Sequence, residues 1–156
     1  MKTSEIYLLT AFVCSACDGD IAPKEIALVK DWSEKSNLFG DIDVEAKLNE
    51  YVESINKYGN RFIKEFLMLL GTNDFSDEEQ LEIIRIAIEM IEADGLILYS
   101  EVKFFKKLRS CLSISDDAIL NVLPDKEDYL LPDIKTSDFI FDEDIKFTTI
   151  NLNANQ

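Results

Sequence analysis

The chain has 156 residues, 31 Asp plus Glu against 16 Lys plus Arg, and no histidine, giving a formal charge of −15 with 47% apolar residues. That is one domain's worth of core. So acidic a balance argues against nucleic acid or anionic lipid as the main partner, because both are bound by basic residues that displace counterions. The missing histidine removes the usual general base near neutral pH, the Ser/His and Cys/His nucleophile pairs and imidazole-ligated metal sites.

Apolar residues recur at three- and four-residue spacing up to Leu123, the mark of amphipathic helices, so the fold class is all-α. A first helix is predicted from about Glu5 to Cys17, capped by Thr3 or Ser4. A second starts at Pro23, whose missing N–H would be unpaired at that position anyway, and runs to about Lys35. A turn cluster covers Asn37 to Asp41. Helices from about Val44 to Tyr58 and Arg61 to Leu70 follow, separated or kinked at Gly59-Asn60. Ser76 with Glu79 three residues on makes a capping box, so a long helix begins at Asp77 and ends near Ala93. Another spans Tyr99 to Ser110, and Ser115 caps a short one ending near Leu123, for about seven helices in all.

Residues 1–123 thus form the helical domain, and 124–156 an acidic C-terminal extension with eight acids, three lysines, Pro132 and no helical period. Within it, DFIF and IKFTTINL flank Asp142-Glu143-Asp144. Their β-branched and alternating pattern suits a small β-hairpin or a strand laid on the body, with disorder as the alternative.

No small-residue cleavage pattern follows the apolar stretch Ile6 to Cys14, and no uncharged apolar run approaches the ~18 residues of a membrane span. The chain therefore reads as soluble and cytoplasmic, with no direct membrane insertion. Three cysteines, Cys14, Cys17 and Cys111, make a disulfide framework improbable, and the C-x-x-C pair lacks further zinc ligands or a preceding strand. They read as small core thiols. Lys103, Lys106, Lys107 and Arg109 read as a solvated face, and Trp32 with Phe62, Phe66, Leu69 and Leu70 as core.

Shifting the chain by 76 residues places Asp18, Gly19, Ile21 and Glu25 on Asp94, Gly95, Ile97 and Glu101. Both copies read D-G-x-I-x-x-x-E. Ala11 falls on Ala87, Phe12 on Ile88, Leu28 on Phe104, Val29 on Phe105 and Lys30 on Lys106. Each copy is a helical hairpin, and the economical arrangement is two pseudo-symmetric halves. Gly19 and Gly95 can take the left-handed conformation that ends a helix, Ile21 and Ile97 can pack down as staples, and Glu25 and Glu101 fall near the third position of the next helix. Asp18 and Asp94 instead place a negative charge at a helix C-terminus, where the dipole disfavours it, so they point to a nearby cation unless loop amides satisfy them. The motif also overlaps the back half of an EF-hand loop. The front ligands would however be Cys14 and Ala16, or Met90 and Glu92, too few oxygens for calcium in either loop alone.

Two hairpins of this form in a helical body of this size resemble the TerB-like family, named for tellurite-resistance clusters, and the cytosolic region of some membrane-anchored DnaJ-type co-chaperones. The resemblance covers about Thr3 to Leu123, with Cys17 in place of the usual alanine. It implies a TerB-like bundle of about seven helices, an acidic surface formed by Asp18, Glu25, Asp94 and Glu101, and a role in divalent metal binding or stress response. Two readings of these four acids stand: helix capping and loop closure, or a metal site shared between the loops. Oxygen ligation favours hard cations, Ca²⁺ or Mg²⁺. No residue set offers an enzyme mechanism of comparable support. The expectation is a non-enzymatic module that binds a divalent cation, an unidentified protein partner, or both. The alternative is an interaction module without metal that uses the helical surface and the aromatic, acidic tail.

Overall fold

The computed structural model describes residues 2–17, 21, 23–93, 95, 97 and 99–130. It is all-α, with α1 (Thr3–Ala16), α2 (Pro23–Lys35), α3 (Val44–Tyr58), α4 (Asn60–Thr72), α5 (Asp77–Glu92), α6 (Tyr99–Ser110), α7 (Asp116–Val122) and a closing 3₁₀ turn, Glu127–Leu130. The expected hairpin within 131–156 lies outside the described residues.

Two helices form the pillars of the core. In α1 every residue from Leu8 to Ala16 is buried, and in α5 the buried set is Gln80, Ile83, Ile84, Ile86, Ala87, Ile88, Met90 and Ile91. A helix apolar nearly all round has no face to give to water, so it is wrapped by others. The two polar residues in the buried run of α1 are satisfied locally: Thr10 Oγ1 donates to the Ile6 carbonyl at 2.7 Å and Ser15 Oγ to the Ala11 carbonyl at 3.0 Å. The α1–α5 contact is the most extensive between any two helices. Phe12 of α1 packs on Tyr51 of α3 and Phe62 of α4, with ring centroids 5.4 and 5.9 Å apart.

Most termini follow the chemistry read from the sequence. Ser76 accepts from the Glu79 N–H while Glu79 reaches back to the Ser76 N–H, completing the capping box, and Ser115 caps α7 through the Ala118 N–H. Gly59, at φ +56°, ends α3 and begins α4. Helix α1 departs from expectation: it starts at Thr3, earlier than Glu5, and neither Thr3 nor Ser4 caps it. The cap position is Lys2, without a side-chain bond.

The reason is tertiary. Thr3 Oγ1 donates to Glu79 Oε2 at 2.8 Å, across 76 residues, the offset of the repeat itself. Further along, the Tyr7 hydroxyl sits in the field of Glu79, Glu82 and Arg85 of α5, and burial pushes its pKa up to about 12. Helices α1 and α5 therefore run side by side in the same direction, with their N-termini together.

The correspondence weakens after each hairpin. The first copy is followed by α3 and α4, 15 and 13 residues long, and the second by the 7-residue α7 and the 3₁₀ turn. Gln80 staples the second half: its Oε1 accepts from the Ser113 and Ile114 N–H groups at 2.8 and 2.9 Å, and its Nε2 donates to the Phe75 carbonyl at 3.1 Å. The body also continues past Leu123, since Tyr129 is only 6% exposed and its ring meets Phe105 edge-on at 5.3 Å.

The cationic residues of α6 do not form a solvated face. Lys107 is buried, Lys103, Lys106 and Arg109 are half-buried, and Arg109 is bound to Asp116 at 2.8 Å. Trp32 is half-buried, its ring tilted against Phe39 at 6.4 Å between centroids, with the Arg85 guanidinium 5.8 Å from its ring.

Candidate functional site

The parallel α1–α5 pair brings the C-terminal ends of the two helices to one side of the molecule. Pro23 opens α2 and Tyr99 opens α6, which puts Glu25 and Glu101 at the third position of their helices. There the unpaired first-turn amides and the positive end of the helix dipole favour a carboxylate. Both glutamates are 6% exposed, unusual for an acid.

Cys14, near the end of α1, is fully buried. Burial first, then the charge of Glu25, then that of Glu101 push its thiol far above the usual cysteine range. One sulfur therefore feels both repeat-equivalent carboxylates, one from each hairpin. Asp18, Gly19 and Asp94 lie outside the described residues. Gly95 has φ +78°, the left-handed conformation expected where a helix ends. Among the described residues, no group of three or more His, Cys, Asp or Glu side chains is gathered to hold a metal ion.

The isoleucines of the two copies part company. Ile21 is 6% exposed and belongs to the core, whereas Ile97 is 49% exposed, so the staple expected in both copies forms only in the first. The cysteines also divide: Cys14 and Cys17 are buried, with Cys17 Sγ donating to the Cys14 carbonyl at 3.3 Å, while Cys111 is only half-buried. Burial raises the Cys111 pKa as well. A raised pKa leaves the Cys14 and Cys111 thiols little thiolate for nucleophilic work.

Glu92, at a front-ligand position of the second EF-hand-like loop, is already engaged. Lys126 Nζ lies 2.7 and 2.9 Å from its two oxygens, and Tyr129 Oη donates to Oε2 at 2.9 Å. Neither Lys126 nor Tyr129 stood out in the sequence, because Pro124 and the acids around them break the helical period that marks body residues. The isolated aromatic after Pro124 was the available signal. No helix among the described residues is long and apolar enough to cross a membrane.

Comparison with protein-family models, with curated proteins and with solved structures gives no match for this chain.

Proposed function

We propose that the protein is a non-enzymatic, TerB-like helical module in which Glu25 and Glu101, with Asp18 and Asp94 from the same two turns, bind a divalent cation and so adjust the surface offered to a protein partner. The observation that supports this most is that two repeat-equivalent glutamates are both buried, each with its charge felt by the single Cys14 thiol. Two like charges drawn into one poorly solvated place repel each other, and a cation relieves that repulsion. The donors are carboxylate oxygens, which suits Ca²⁺ or Mg²⁺, and the protonated Cys14 thiol is no competitor for a hard ion. A function in stress response follows from the TerB-like resemblance.

Calorimetric titration of the full chain with Ca²⁺, Mg²⁺ and Mn²⁺ tests the reading beside the variant Asp18→Asn, Glu25→Gln, Asp94→Asn, Glu101→Gln. Heat and a rise in melting temperature should be present in the native chain and absent in the variant. Identical isotherms and identical melting shifts would remove the cation.

The second reading, an interaction module without metal, is favoured by exposed Met68 on α4, 66% accessible, and by Tyr58, 48% accessible at the α3–α4 corner. A chain ending at Leu130 separates the two readings. Loss of a co-purifying protein with unchanged cation binding would favour interaction through the tail.

A further inference from the structure

Helix α4 buries Ile63, Phe66 and Leu70 against the body, where it meets α1, α3 and α6, and turns its other face to water. That outer face carries Arg61, Lys64, Met68 and Gly71 at helical spacing, and exposed Lys57 and Tyr58 stand at its start. The Tyr58 ring lies 5.3 Å from Lys57 Nζ and 5.8 Å from the Arg61 guanidinium. From Ser54 to Asn73 the chain has three basic residues and one acid, Glu65, in a sequence with 31 acids to 16 bases overall. Glu65 pairs with Arg61 at 3.2 Å, and both side chains are largely exposed, so the pair is weak and readily exchanged. Among the described residues, Lys57 and Lys64 have no acidic partner.

Gly71 is a second, independent observation. Unlike Gly40, Gly59 and Gly95 it does not take a positive φ, and a Cβ placed there would meet nothing within 4 Å. Glycine weakens a helix relative to alanine, and the packing of this chain supplies no reason for one at this exposed place. Bare backbone one turn from Met68 suits the close approach of another chain. We propose that the outer face of α4, from the Tyr58 corner to Gly71, docks an acidic amphipathic helix of another protein. Carboxylates of that helix meet Lys57, Arg61 and Lys64, and its apolar ridge lies over Tyr58, Met68 and the Gly71 backbone. The overall charge does not forbid this, because exposed charges more than about 8 Å away are screened at physiological salt and the local field is positive. A second copy of this chain fits less well, since like faces meeting across a twofold axis would set Lys57, Arg61 and Lys64 against themselves. The proposal rests on the interaction reading given above and needs no cation.

The test is fluorescence anisotropy of the full chain, in chelator, with a labelled synthetic helix of about five turns that has leucine on one face and glutamate on its flanks. The native chain should bind it at least ten-fold more tightly than a scrambled peptide of the same composition. Lys57→Glu, Arg61→Glu and Lys64→Glu together should weaken binding at least ten-fold with an unchanged melting curve, and Met68→Ala about three-fold or more. Gly71→Gln should raise the melting temperature by about 1 to 3 °C and yet weaken binding about five-fold, a combination that a purely structural role for Gly71 does not give. Equal affinity for the two peptides, or native affinity in the charge-reversed chain or in Gly71→Gln, would overturn the proposal. So would a dimer of the free chain in sedimentation, or binding to phosphatidylserine vesicles, that the charge reversal abolishes, because the face would then serve a second copy or a lipid surface. Failure of the peptide beside a partner lost on truncation at Leu130 would overturn this face and leave the interaction reading standing.

Discussion

The two copies of the D-G-x-I-x-x-x-E motif share a spelling but not a set of neighbours. Ala11 and Ala87, Phe12 and Ile88, Val29 and Phe105, and Glu25 and Glu101 are all buried as equivalent pairs, yet Ile21 is buried where Ile97 is half exposed. Helix α2 buries only Glu25 and Val29, while α6 buries Glu101, Phe104, Phe105, Lys107 and Leu108. The difference comes from outside the repeat, because α6 is covered by α4 and the closing 3₁₀ turn. A motif sets where its own carboxylate points, and the rest of the chain decides how much of the hairpin is hidden.

The sharpest way to break this comparison is to truncate the two isoleucines. Ile21→Ala should cost about 3 kcal/mol, as expected for a buried isoleucine, and Ile97→Ala less than about 0.5 kcal/mol, both read from urea unfolding. Equal costs would mean that the turns are alike after all.

The helix starts give a smaller contrast. Helix α5 has a full capping box, and α1 begins at Lys2 without a side-chain cap. Ser76→Ala should lose about 1 kcal/mol, whereas Lys2→Ser, which places a serine three residues before Glu5, should gain up to about 1 kcal/mol. The cap also has a pH signature. Bonds from the Ser76 N–H and then from the Thr3 hydroxyl lower the Glu79 pKa in the folded chain. Below the ordinary glutamate pKa of about 4.3 the unfolded chain therefore binds the proton first. The stability that Glu79 adds should be fully present above that pH and fade as the pH falls through the folded value. The melting-temperature gap between the native chain and Glu79→Gln should shrink correspondingly, and a gap independent of pH would contradict the bonding seen.

The smallest effect is a rate. Cys111, half-buried, should be alkylated before Cys14 and Cys17 in the native state, and those two only on unfolding, as mass spectrometry of iodoacetamide-treated protein would show. Early labelling of Cys14 would mean that the buried end of α1 is open.

Most of the helical framework was legible because it is encoded locally. The capping box at Ser76, the proline at the start of α2 and the glycine at the α3–α4 corner each act within a turn of their own position. What escaped the sequence is tertiary. Thr3 looks like a cap and instead pairs with Glu79; Lys107 and Arg109 look solvated and instead lie against the body. The 76-residue offset pointed to two related hairpins, while the side-by-side pairing of their first helices, α1 and α5, is seen only in the structure. Of the four motif acids, the placement of Glu25 and Glu101 follows from their helix position, while Asp18 and Asp94 lie beyond the described residues.

That two hairpins converge on one place is tested most directly by a double-mutant cycle on Glu25→Gln and Glu101→Gln, measured as unfolding free energies of the full chain in chelator. Carboxylates that share one buried neighbourhood should show a coupling of about 0.5 kcal/mol or more, the double variant gaining less relief of repulsion than the two single variants added together. Additivity within about 0.3 kcal/mol would show that the two glutamates do not sense each other, and the shared site would have no basis.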